Sequence, residues 1–141
     1  MNGLSPPDPS IDSLQTIFDY ALLKIFEQGA VTPPNATAAC SYRSGELRCT
    51  IGIFLKNYNP SYEQYVVDEL IEQGIFGKIS DDMNALLCDL QFVHDSIAMQ
   101  HNGINLSPDE FRKEFLQAML IIGIRHRLRT YQIEELQERI T

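Results

Sequence analysis

Basic residues are scarce in this 141-residue chain: 11 Lys and Arg stand against 19 Asp and Glu, giving a formal net charge of -8. That balance argues against direct nucleic-acid or anionic-membrane binding, because both partners require a positive surface. Long hydrophobic runs are also missing. The longest apolar stretch, Phe115 to Ile124, is interrupted by Gln117 and is about half the length that a membrane span needs. The opening residues, Met1 to Pro9, are polar and proline-rich rather than basic and then apolar. They do not read as a signal peptide, so the expected compartment is the cytoplasm. Three cysteines in such a chain do not describe a disulfide framework. There is no GxSxG elbow, no HExxH helix, no phosphate-cradling glycine loop and no calcium loop of spaced acids and glycine. No enzyme class is signalled, and no cofactor is expected.

What the chain does have is helical periodicity. Ile11, Leu14, Ile17, Phe18, Ala21, Leu22, Ile25 and Phe26 recur at three and four residues from Ser10 onward, and Gly29 supplies a stop. After Pro60, the residues Tyr62, Tyr65, Val66, Leu70 and the cap-like Gly74 predict a second helix. A third begins at Ser80, with Asp81 and Asp82 in its first turn and a stripe of Met83, Leu86, Leu87, Leu90, His94 and Ile97, ending at Asn102-Gly103. Ser107-Pro108-Asp109-Glu110 is a capping box with proline at the first helical position. The fourth helix that follows is apolar around more than half its girth, which predicts a central place. Thr130 opens a short fifth helix carrying Ile133, Leu136 and Ile140. Residues 1–9 are expected to be a flexible arm and 10–141 a single globular domain, mainly α (α+β), of about five helices with one short β-hairpin near residues 40–49.

The hairpin is read from strict alternation. Cys40, Tyr42, Leu47 and Cys49 fall on one face, and Ser41, Arg43, Glu46 and Arg48 on the other, around Ser44-Gly45. With those two residues as the loop, 43 opposes 46 and 40 opposes 49. Cys40 and Cys49 then form a close cross-strand pair. Three states are open to it: reduced buried thiols, a redox-sensitive disulfide, or a zinc site completed by His94. Cys88 is expected in the core.

The charge is uneven. Residues 61–110 hold ten acids and a single base, Lys78, so the middle of the chain carries more negative charge than the whole. Glu63, Asp68, Glu69, Glu72, Asp81, Asp82 and Asp89 are the candidate partner-binding residues of an acidic docking face for a basic protein. Arg125, His126, Arg127 and Arg129 make the basic cluster, expected at a helix C-terminus where cations complement the dipole. Gln91, His94 and Asp95, at i, i+3 and i+4, share one helix face, and His101 lies on roughly the same side. Cys40, Arg43, Cys49, Gln91, His94 and Asp95 are the expected polar cluster, with His94 hydrogen-bonding toward the hairpin. A His94–Asp95 general-base pair is the catalytic alternative.

Cys40-Ser-Tyr42-Arg43, then Gly45, then Cys49-Thr-Ile-Gly52, and some forty residues later Leu90-Gln91-Phe-Val-His94-Asp95, resemble a pattern in small uncharacterised bacterial and phage proteins. It consists of a C-x-Y-R hairpin, a C-x-x-G step and an L-Q-x-x-H-D helix. The resemblance implies that the hairpin packs against the third helix and that the setting is a phage or mobile element; it carries no assigned activity. The expected function is a non-enzymatic cytoplasmic interaction protein, with a phage inhibitor of a nucleic-acid-handling host or defence protein as its specific form. The alternative is a small metal-binding or hydrolytic protein centred on Cys40, Cys49, His94 and Asp95. Self-association through the last helices, as a homodimer, is a further expectation.

Overall fold

A computed structural model describes residues 6–33, 40–100 and 106–140. In chain order the elements are α1 (Leu14–Gln28), a hairpin of β1 (Arg43–Ser44) and β2 (Leu47–Arg48), a 3-10 turn (Gly52–Phe54), a second 3-10 turn (Pro60–Gln64), α2 (Val67–Glu72), α3 (Asp81–Gln100), α4 (Pro108–Arg125) and α5 (Tyr131–Glu138). The fold is mainly α with one two-stranded antiparallel hairpin. No described helix is long and apolar enough to cross a membrane.

The helix starts follow local capping chemistry. Ser13 accepts the Thr16 N–H at the head of α1, and Ser80 accepts the Met83 N–H at the head of α3. Ser107 and Glu110 close a reciprocal capping box on α4. Gly29 ends α1 at φ 69, a left-handed position that glycine takes without steric cost. All six stripe residues of α3 are buried, as their period requires. One core cluster draws on all five helices together with Tyr42, Cys49 and Ile51 beside the hairpin. Helix α4 packs against α1, α3 and α5, the central place its girth predicts. Its outer side nevertheless leaves Leu120, Ile121 and Ile124 exposed.

Four expectations need correction. The described end of the arm, residues 6–9, is tied down: Pro9 is buried and the Asp8 carboxylate pairs with Lys56 at 3.6 Å while accepting bonds from Ser10. The stretch after Pro60 is a 3-10 turn and a separate short helix. Tyr65 and Val66 are extended between them, where the Glu69 carboxylate caps the Val66 N–H and Tyr65 offers its carbonyl to the Tyr42 hydroxyl. Cys88 is half-buried at the α2–α3 seam, its thiol donating to Asp68 at 2.9 Å.

The fourth correction is the hairpin register. Arg43 pairs with Arg48 and Ser44 with Leu47, so the loop is Gly45-Glu46. Gly45 has φ 60, and a two-residue loop whose first central residue needs positive φ places its glycine there. Cys49 therefore donates its N–H to Tyr42 rather than facing Cys40. Relative to the expected register this is a two-residue slip, which preserves the faces: Tyr42 and Cys49 still point inward, 1% and 0% exposed. His101, Asn102 and Gly103 lie outside the described residues.

Candidate functional site

The hairpin and α3 meet through specific polar contacts. The Cys40 N–H donates to Asp95 Oδ1 at 3.1 Å, and Gln91 Nε2 donates to the same oxygen at 3.1 Å. Thr50, the second residue of the C-x-x-G step, donates its hydroxyl to the Leu90 carbonyl at 2.8 Å. Gly52 presses so closely on Tyr42 that a Cβ there would lie 1.8 Å from the Tyr42 carbonyl oxygen. The residues that carry the C-x-Y-R, C-x-x-G and L-Q-x-x-H-D spacings thus meet at one junction.

At its centre, donor atoms of Cys40, His94 and Asp95 all lie within 4.8 Å of one another. Cys40 is 4% and His94 0% exposed. Burial pushes the Cys40 thiol up, as do its hydrogen bond to Asp95 and the charge of that carboxylate. Burial also raises the Asp95 carboxyl, against the hydrogen bonds it receives from Cys40 and Gln91. His94 is lowered to about 3 by burial, so at neutral pH its ring is uncharged. Among the described residues, neither ring nitrogen of His94 has a hydrogen-bond partner. The expected bond from His94 to the hairpin is therefore absent, and so is a His94–Asp95 pair, because Asp95 is turned to Cys40 and Gln91. A buried polar group left in this way costs about 1–3 kcal/mol.

The other expected cluster members sit apart. Cys49 is fully buried, its sulfur accepting the N–H groups of Ile51 and Gly52 at 3.4 and 3.3 Å, and burial pushes its thiol up to about 12. It is not among the three clustered donors, and both it and Cys40 are free thiols. Arg43 points the other way, with its guanidinium 4.7 Å above the Tyr58 ring.

The acidic candidates divide. Glu63 is a structural hub: its carboxylate accepts the N–H groups of Tyr42 and Arg43 and the Tyr58 hydroxyl, the last at 2.6 Å. Asp89 accepts from Arg125 at 3.2 Å and contacts His126 at 2.7 Å, tying the middle of α3 to the end of α4. Arg125 lies in the last turn of α4, as the dipole argument expects. Glu69 caps α2. Asp68, Glu72, Asp81 and Asp82 are exposed.

On α3 the exposed residues Asp81, Asp82, Ala85, Phe92 and Met99 fall at spacings of one helical side. Phe92 and Met99 are 69% and 74% exposed, and Ile121 and Ile124 on α4, within one turn of Arg125, are 59% and 66% exposed. Periodicity does not separate such exposed residues from core, because apolar residues on long helices look alike without a partner to cover them. It also passes over Thr50 and Thr32. The Thr32 hydroxyl is buried and donates to the Ser41 carbonyl at 2.5 Å beside Cys40. Comparison with family models, curated proteins and solved structures finds no match.

Proposed function

We propose that this chain is a non-enzymatic protein-binding module that docks a basic partner along the outward face of α3 and the adjoining α2. The observation that carries the reading is the composition of that face. Asp81 and Asp82 occupy its first turn, with Asp68 and Glu72 exposed on α2, and Phe92 and Met99 stand out of its later turns at 69% and 74% exposure. Exposed apolar side chains supply contact area, and a one-signed field beside them raises the encounter rate with a partner of opposite sign. The groove with which a nucleic-acid-handling protein holds its ligand has that sign, which is the sense in which a phage or mobile-element inhibitor of such a host or defence protein fits. A catalytic role draws less support: Cys40 is held as a buried thiol and Asp95 does not orient His94.

Capture of partners from the native host by the tagged chain, at low and high salt, tests the reading. The variant Glu72→Gln/Asp81→Asn/Asp82→Asn spares the capping role of Glu69. It is expected to slow association about tenfold at low salt and to flatten the salt dependence. Phe92→Ser is expected to weaken capture at both salt concentrations. Capture that is independent of salt and retained by both variants would refute the proposal.

A further inference from the structure

The Cys40–His94–Asp95 group is not used by the docking reading, and three of its features point to a ligand. First, donors of three different metal-binding types converge within 4.8 Å, from the hairpin flank and from two successive residues of α3. Second, His94 is 0% exposed and, among the described residues, neither of its ring nitrogens has a partner, although polar groups this deep are normally satisfied. Third, the neighbours are arranged as supports for ligands. Asp95 Oδ1 is held by the Cys40 N–H and Gln91 Nε2, which fixes the carboxylate and leaves its other oxygen outside those two bonds. The Thr32 hydroxyl donates to the Ser41 carbonyl, which holds the backbone next to Cys40. Such outer contacts orient metal ligands.

We propose that Cys40, His94 and Asp95 form a binding site for a zinc ion. A thiolate, a neutral imidazole and a carboxylate are the sulfur, nitrogen and oxygen donors that zinc accepts together. Their two negative charges balance the dication, so the buried centre carries no net charge. Ligand atoms around a tetrahedral zinc lie about 3.3–3.8 Å apart, and rotation of the Cys40 and His94 side chains toward the fixed carboxylate supplies the remaining closure of about 1 to 1.5 Å. Binding breaks the Cys40 S–H bond and forms a zinc–sulfur bond; the proton leaves to solvent and no electron is transferred. The unpartnered imidazole gains its missing contact. Cys49 is left out of the site because its sulfur is not among the converging donors. Three protein donors leave a fourth position for a small molecule such as water.

The full chain, freed of metal with a chelator, is titrated with Co2+ and then with Zn2+. The expected result is one Co2+ per chain, with a sulfur-to-cobalt charge-transfer band and tetrahedral ligand-field bands. One equivalent of Zn2+ abolishes the bands, and each zinc bound releases at least one proton. Cys40→Ser removes the charge-transfer band. His94→Gln and Asp95→Asn each weaken binding at least about 100-fold, and Asp95→Asn keeps an oxygen to accept the Cys40 and Gln91 bonds, so it tests ligation with the junction intact. Cys88→Ser binds as the parent does. A folded parent chain that takes up no stoichiometric Co2+, or a charge-transfer band that survives Cys40→Ser, overturns the proposal. The readout needs no protein partner, so it fails or succeeds independently of the docking reading.

Discussion

Replacing Gly52 by alanine tests whether the junction between hairpin and α3 is built on close backbone approach. The added Cβ would lie 1.8 Å from the Tyr42 carbonyl oxygen and 2.7 Å from its carbon. A carbon and a carbonyl oxygen rest at about 3.3–3.6 Å, so one backbone must retreat by about 1.5 Å. Neither is free to do so. The Tyr42 carbonyl accepts the Cys49 N–H at 3.2 Å, its side chain is 1% exposed, and its hydroxyl donates to the Tyr65 carbonyl at 2.6 Å. Overpacking of this kind costs about 1–3 kcal/mol, and loss of the Cys49–Tyr42 hydrogen bond adds about 1 kcal/mol. The expected loss is about 2–4 kcal/mol, a large share of the roughly 5–15 kcal/mol that holds a domain together. Urea unfolding followed by circular dichroism should show the midpoint falling by about 1–2 M at unchanged slope. Gly45→Ala is the control. Nothing lies within 4 Å of a Cβ at that position, and its φ of 60 alone makes alanine unfavourable, by about 1–2 kcal/mol. If Gly52→Ala costs no more than Gly45→Ala, the close approach is not what the junction depends on.

Glu63→Ala should cost about 2–4 kcal/mol in the same urea assay, because it strands the N–H groups of Tyr42 and Arg43 and the Tyr58 hydroxyl. Glu72→Ala, an exposed acid of the same segment, should stay within about 0.5 kcal/mol; equal effects would remove Glu63 from its structural role. Acid should destabilise the metal-free chain through His94. Its folded pKa, about 3, is below the usual value of 6.5, so the unfolded state binds the proton first. That stabilising contribution is whole above pH 6.5 and is lost as pH falls toward 3, at up to about 1.4 kcal/mol per pH unit. The Cys40 thiol, raised by burial, stays protonated, and Asp95, also raised by burial, has the opposite slope, so the difference between the parent chain and His94→Gln isolates the imidazole. Thermal melts between pH 7 and 5 should show the slope in the parent chain and a flatter one in His94→Gln; equal slopes would contradict the assignment.

What could be read from the sequence was what local rules decide. The α3 stripe, the Ser107–Glu110 box and the Gly29 stop depend on residues within a turn or two of each other, and all three appear as expected. The break at Tyr65 was not legible, because it is set by tertiary bonds: the carbonyl of Tyr65 serves Tyr42, 23 residues away. The fates of the acids were not legible for the same reason. Glu63 and Glu72 are chemically identical, yet one is anchored to the hairpin and the other faces water, and only the long-range fold separates them.

The hairpin shows how a small local error spreads to the site. Alternation fixed the inward faces correctly, since a slip of two residues leaves them unchanged, but it could not choose between Ser44-Gly45 and Gly45-Glu46 as the loop. That choice decides whether Cys49 faces Cys40 or Tyr42. With Cys49 opposite Tyr42, the pairing of two cysteines dissolves. Cys40 meets α3 instead, where Asp95 and His94 stand 55 and 54 positions further along the chain. The residue types that converge here were thus partly legible, while the position of Gly45 in the loop decides which cysteine meets α3. Among the candidates, Cys49 is not one of the converging donors, and its sulfur accepts two N–H groups of its own C-x-x-G turn. His94 gained significance for the opposite reason, since the same fold that buries it gives its ring nothing to bond among the described residues.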